Sequence, residues 1–258
     1  MPNLNQIICR LIFQLKRGLT QISASRTKCH MNFALRIFLV SLALFFAGCS
    51  SLHYCKPKSE SIVLFDGRSA DAFRGYKRDL FPDKAWRVEN GTLKTIVGGE
   101  VVDLVTKEKF DNYDLQLEWR VSPGANSGII YNVSEEFPQS YNSGMEMQVL
   151  DDSKHKDGGN PKTSAGALYA LIAPKNKALK PVGEWNHARL VMDGNHVEHW
   201  LNGRKIVEYE LDSKELDALI ADSKFNKMPG FAKEQTGHIV LQHHRDEVWF
   251  RNIKIRSW

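Results

Sequence analysis

Apolar and polar residues alternate one by one from Tyr113 to Val121, a pattern that a helix cannot use. Tyr113, Leu115, Leu117, Trp119 and Val121 form the apolar set, and Asp114, Gln116, Glu118 and Arg120 lie between them. Successive side chains of a strand point to opposite faces, so this segment is a strand with one buried and one polar face. Ala188–Met192 and Val197–Leu201 flank the turn signal Asp193-Gly194-Asn195, and Asn202-Gly203 leads on into Arg204–Leu211, which predicts a three-stranded meander. Turns recur too often for parallel βαβ units. Ser213–Ser223 is the exception: Leu216, Leu219 and Ile220 have helical spacing, which predicts a surface helix inserted between two strands. The expected body, residues 61–258, is a single all-β domain, a jelly-roll sandwich of two antiparallel sheets. A polar sheet face in such a sandwich would suit a carbohydrate, although the fold alone does not establish a function.

The 258-residue chain carries a formal net charge of +5, which would fit a nucleic-acid partner if the excess lay on the folded body. It does not. Residues 1–48 hold six basic residues and no acidic one, and the remaining 210 carry 29 positive and 30 negative charges. The segment from Met31 reads as an export signal, with Arg36 ahead of the apolar run Ile37–Ala47. Eleven residues are too few to span a bilayer, which needs about 20. Phe46-Ala47-Gly48-Cys49 resembles a bacterial lipoprotein cleavage box, with Phe46 where an aliphatic residue is usual. Cys49 is then the lipidated first residue, 49–60 a polar tether, and 1–48 a leader whose true start is Met31 or whose n-region is unusually long. An exported protein lipid-anchored to the cell envelope follows, and Ser50 after the lipidated residue fits sorting to the outer membrane of a Gram-negative cell, facing the periplasm or the cell surface. No nucleic-acid partner is expected. Only Cys49 and Cys55 remain after processing, so the core has no disulfide framework to rely on.

Parity along the strands selects the candidate site. Glu146 and Gln148 share one face of Gly144–Leu150, and His238, Gln242 and His244 share one face of Gly237–His244. Asp151 and His155 follow the first of these segments, and Asn126 and Ser127 sit in the Pro123–Ile129 connection. Such groups can act as acid, base and orienter, or as ligands of a divalent metal. They also suit a merely solvated sheet face. Trp185, Trp200 and Trp249 read as core or sheet-packing residues rather than sugar platforms, and Lys224, Lys227 and Lys233 as a rim or lid. With no phosphate loop, HExxH, CxxC or GxSxG, a nucleotide cofactor or a cysteine-bound zinc is not expected.

Across the same body the sequence resembles the 3-keto-disaccharide hydrolase family, formerly DUF1080, also described as 3-keto-glucoside 1,2-lyase/3-keto-2-hydroxyglucal hydratase. The resemblance lies in LFDGRS (64–69), WRVENGTL (86–93), the NSGI element within 104–133, GMEMQVLDD (144–152), AGALYALIAP (165–174), GEWNHARLV (183–191), HWLNG (199–203) and GHIVLQ with VWFRNIKI (237–255). It implies a concanavalin-like jelly roll acting on sugars oxidised at C3, by elimination across C1–C2, hydration, or both. On that footing Glu146, His155 and His244 are the catalytic candidates, and Asn126, Ser127, Gln148, Asp151 and Gln242 would orient sugar hydroxyls. A divalent ion, if used, would fall to Glu146, His155 and His238. One stretch departs: Gln242-His243-His244-Arg245-Asp246 stands where relatives usually read Gln-Asp-His-Gly-Asp. Parity sends His243 to the opposite face. Arg245 is strained if the turn needs positive φ; otherwise its bulk reshapes the site mouth. The alternatives are a non-catalytic carbohydrate-binding module and a purely structural envelope lipoprotein.

Overall fold

A computed structural model describes residues 61–258; the leader, Cys49 and the tether lie outside the described residues. The described strands form two antiparallel sheets packed face to face, a jelly-roll sandwich. The larger sheet runs β11 (Arg204–Glu210), β10 (His196–Leu201), β9 (Asn186–Asp193), β6 (Tyr113–Val121), β13 (Val248–Ser257), β4 (Thr92–Thr95) and β3 (Trp86–Glu89). A further strand, β1 (Ser61–Phe65), also pairs with β13. The smaller sheet runs β2 (Phe73–Gly75), β5 (Leu104–Thr106), β12 (His238–Leu241), β7 (Asn126–Val133) and β8 (Met145–Leu150).

The alternation in β6 does what the spacing predicts. Tyr113, Leu115, Leu117, Trp119 and Val121 are buried against Ile129, Tyr131, Met145, Met147, Val149, Ile239 and Leu241 of the smaller sheet, in one continuous core. Burying each such side chain contributes roughly 1.5–3 kcal/mol, and residues 61–258 contain no cysteine, so the two sheets are held by this core and not by a disulfide. The meander is also present as β9, β10 and β11. Asn202 (φ +50) and Gly203 (φ +80) are both left-handed, the backbone of a type I′ hairpin turn. The predicted helix is α1 (Lys214–Ala221), between β11 and β12. Ser213 caps it by accepting the Leu216 N–H, and Leu216 is its buried residue.

The smaller sheet corrects one expectation. Its outer face is not an open polar surface, because every residue of β7, β8 and β12 is buried. Val105, Ile130, Val133 and Val240 make a second small apolar cluster there, with Tyr76 packed against it. A bulge admits Val133 to that face: three residues of β7 span what two span on β12 (Ile130 opposite Val240, Val133 opposite His238), with Asn132 left-handed at φ +55. The outer face is therefore apolar in its middle and polar at one end, where Asn126, Gly128, Glu146, Gln148 and Gln242 meet.

Candidate active site

At that polar end lies a pocket of about 240 Å³, lined by Asn126, Tyr141, Glu146, Gln148, Tyr169, Lys224, Phe225, Gln242 and His244. Glu146 faces outward from β8 opposite Ile130, in the register that sets Gln148 opposite Gly128. Its carboxyl lies over Gly128: a Cβ there would stand 2.1 Å from Glu146 Oε1 and 2.7 Å from Cδ. The lack of a side chain at 128 is what gives this carboxyl its place. Burial pushes the Glu146 carboxyl up to about 8, with the Lys224 ammonium pulling the other way. A carboxyl with such a pKa can both hold and release a proton near neutrality.

Lys224 comes from a short 3-10 turn, Lys224–Lys227, whose preceding Ser223 accepts the Phe225 N–H. Its Nζ lies 4.3 Å from the centre of the Tyr169 ring. Partial desolvation lowers its pKa, while Glu146 and Asp157 oppose that shift. Burial, then the nearby Asp157 and Glu146, raise the Tyr169 hydroxyl to about 12, so it stays a proton donor. Asn126 takes its position from Asp246, whose Oδ2 accepts the Asn126 N–H at 3.0 Å. Its own side-chain Oδ1 is buried and has no hydrogen-bond partner among the described residues, an acceptor in the pocket wall.

His244 follows β12 and is exposed at the mouth. Its Nδ1 is 3.7 Å from Asp246 Oδ2, and its ring meets that of His155 edge to face at 6.4 Å between centres. His155 accepts the Asp157 N–H on Nδ1, as the cap of a short 3-10 turn (Lys156–Gly159), so its other ring nitrogen carries the proton in the neutral form. His155 thus stands behind His244 rather than among the residues that line the pocket.

Three site expectations change. Ser127 points inward and donates to the Gln242 carbonyl at 2.7 Å, tying the ends of β7 and β12 together instead of meeting a sugar. Asp151 is buried and accepts from Gly124 N–H, Ser153 N–H and Ser153 Oγ. Burial alone would raise it, but the Ser153 and Gly124 bonds outweigh burial and hold it below the usual carboxylate range, so it serves the loop. His238 shares the outer face but lies toward the opposite end. It pairs across from Val133, with Nδ1 3.2 Å from the Glu108 carbonyl and Nε2 3.9 Å from Glu135, which Arg74 grips at 2.6 Å. The ligand set Glu146, His155 and His238 is therefore not assembled: parity gave the face but not the position along it. Among the described residues, the one group of three whose ligating atoms converge is His196, Glu198 and Glu208 on the larger sheet. Lys205 already bonds both of those carboxylates.

Gln148 lies in the pocket wall with both ends of its amide engaged, donating to the Thr163 carbonyl and accepting the Val149 N–H. Gln242 remains a wall residue. The two departures at 243 and 245 are explained. His243 turns into the core edge-on to Trp86 (5.8 Å), and its Nδ1 accepts the Arg245 N–H. Arg245 is left-handed at φ +72, the conformation glycine adopts freely and other residues adopt at a cost of about 1–2 kcal/mol. Its N–H bond to His243 helps to hold that turn. Tyr141 and Tyr169 stand on irregular segments where parity says nothing, and of the two only Tyr169 had a signal, its place in the family-like stretch AGALYALIAP. Lys224 had one, as a basic residue in a loop read as a rim. The three tryptophans lie outside the core, half-exposed, with guanidinium groups over their rings: Arg120 lies 4.9 Å from Trp185 and 4.4 Å from Trp249, and Arg189 lies 5.1 Å from Trp200.

Fold and pocket together define a class: a jelly-roll protein with a small polar pocket, floored by a buried carboxyl and walled by amides and aromatics. The chain belongs to the family of the 3-keto-alpha-glucoside-1,2-lyase-like domain, whose model matches residues 60–256. A 3-keto-disaccharide hydrolase from Bacteroides thetaiotaomicron is 35% identical over 225 residues, covering 76% of this chain and 77% of its own. Two crystal structures from Parabacteroides distasonis, each described as a candidate glycosyl hydrolase, are 26% identical and align with TM-scores of 0.71 and 0.60. Each covers 77% of this chain, with 94% and 100% of the respective structure matched. This places the chain in a family of carbohydrate-active enzymes.

Proposed function

We propose that the protein cleaves 3-keto-glycosides by elimination across C1–C2 followed by addition of water. The observation that carries this reading is the Glu146 carboxyl, buried on the pocket floor with a pKa near 8 beside a cationic lysine. A ketone at C3 acidifies the C2 proton. Glu146, once ionised, takes that proton, and the electron pair moves into an enolate whose negative oxygen faces the Lys224 ammonium. The enolate then reforms the ketone as the C1–O bond breaks and C1=C2 forms. His244, at the mouth and positioned by Asp246 and His155, gives a proton to the departing glycosidic oxygen. Water next adds to C1, with His244 as base, and Glu146 returns a proton to C2. Each role asks for a base, an electrophile and an acid on different sides of one ring.

The acidic and imidazole groups of this pocket do not converge as a metal set among the described residues, and Lys224 already supplies positive charge. The ketone oxygen therefore falls to Lys224 rather than to a divalent ion. A chromogenic 3-keto-glucoside should be turned over, the parent glucoside should not, and a chelator should leave the rate unchanged. Binding of the keto sugar without product release would favour a carbohydrate-binding module. A chelator-sensitive rate restored by a divalent cation would move the electrophile's role to a metal.

We also propose that the enzyme works outside the cytoplasm, tethered by acylated Cys49. The support is the leader's charge and apolar run together with the box ending at Cys49.

A further inference from the structure

A second chamber of about 310 Å³ adjoins the Glu146 pocket and shares three wall residues with it: Tyr141, Gln242 and His244. Its own walls are set by Tyr76, Arg78, Asp103 and Gln139. Pockets for whole ligands span roughly 300–1,000 Å³, so each chamber alone is at or below the small end and the pair lies within the range. Glu146 and Lys224 belong to one chamber only, while His244 stands on the boundary. A substrate of two linked rings fits this division: oxidised ring in the first, leaving ring in the second, bridging oxygen beside His244.

We infer that the second chamber is a preformed subsite for a hydroxylated sugar ring as leaving group, and that Tyr141 determines the preference for it. This rests on the proposed 3-keto-glycoside reaction. Tyr141 is 41% exposed, unusual for an aromatic on so firmly held a segment. It sits in a 3-10 turn, Ser140–Asn142. Ser140 Oγ donates to Asp103 Oδ2 at 2.6 Å, and Asn142 Oδ1 accepts the Gln139 N–H at 3.1 Å. Asp103 also accepts the His243 N–H at 2.9 Å. The half-buried Asp103 carboxyl thus joins the Tyr141 turn to the strand end that carries His244. The turn that carries Tyr141 is braced, so the backbone beneath the ring needs no ordering when a sugar arrives. Arg78 pairs with Glu100 at 2.7 Å beside the chamber, and with Gln139 and Gln242 it supplies hydrogen-bonding groups suited to hydroxyls rather than to a purely apolar aglycone. Binding energy from a remote ring can be used at the reacting centre, so losing that ring should lower kcat/KM and not binding alone.

The test compares kcat/KM for a 3-keto-disaccharide with that for methyl 3-keto-glucoside. The wild-type ratio should be about 10 or more, and Tyr141→Ala or Arg78→Ala should bring it toward one, with Tyr141→Phe retaining it. Both truncated side chains are surface-exposed, so the variants should fold. A wild-type ratio near one, or a ratio that survives both alanine variants, overturns the subsite. Turnover of neither substrate by the wild type defeats the reaction itself, and the subsite with it. The two failures are distinct.

Discussion

Glu146→Gln should reduce turnover of a 3-keto-glucoside by about 10³-fold or more, because the amide can neither take the C2 proton nor return it. The same variant should be more stable than the wild type in alkaline solution. The Glu146 pKa is raised by folding from 4.5 to about 8, so the folded state holds its proton more tightly than the unfolded chain. The stability this contributes is fully present below about pH 4.5 and is lost as pH rises through 8. Above pH 8 the wild type must keep a buried carboxylate beside a half-desolvated lysine. The neutral amide avoids that cost, which is on the order of a few kcal/mol. Thermal melts of both proteins at pH 6 and pH 9 read the effect directly: a gap in favour of Glu146→Gln should open on going to pH 9, by about 5 °C or more. A variant of unchanged activity, or one less stable at pH 9 by the same margin as at pH 6, would contradict the assignment.

Gly128→Ala should separate activity from stability. The added methyl would meet the end of the Glu146 side chain, with Oε1 at 2.1 Å, Cδ at 2.7 Å and Cγ at 2.9 Å. A flexible side chain can move aside, so the fold should survive with a loss of roughly 1–3 kcal/mol. The carboxyl cannot move aside and keep its aim at C2. A displacement of about 1 Å in a reacting group can cost about 10²-fold, so kcat should fall on that scale while the circular dichroism spectrum is retained. Wild-type kcat in a folded Gly128→Ala protein would mean that the carboxyl has no defined role, or that it does not occupy the place over Gly128.

Much of this architecture is legible in the amino-acid sequence, and the reason is physical. A strand buried on one face writes that burial every second residue, so β6 and the β9–β11 meander can be read from alternation and from Asn202-Gly203. The register between strands leaves no such record. Glu146 and Gln148 share a face in any register, but only the β7–β8 pairing puts Gly128 beneath the carboxyl. His238 shows the limit. It has the parity of Gln242 and lies on the same outer face, yet it joins Arg74 and Glu135 far along that face. Ser127 and Asp151 look like ligands for a sugar because small polar residues serve loops and ligands alike, and only their bonds to Gln242, Gly124 and Ser153 distinguish the two. Tyr141, Tyr169 and Lys224 reach the pocket from segments without period. The Arg245 turn could be anticipated as a choice between two outcomes, and φ +72 decides for backbone strain.

The reaction proposed for this pocket requires that the C2 proton leave and return. Turnover of a 3-keto-glucoside in D2O, stopped early and compared with unlabelled product held in the same buffer, tests this by mass and proton NMR. Elimination and hydration predict one deuterium at C2 of the released 3-keto-sugar, above the blank. A product that keeps its original hydrogen at C2, together with an unchanged rate for substrate deuterated at C2 (which excludes internal return of the same proton by Glu146), would mean direct displacement at C1, and would contradict Glu146 as the base and Lys224 as the enolate's partner.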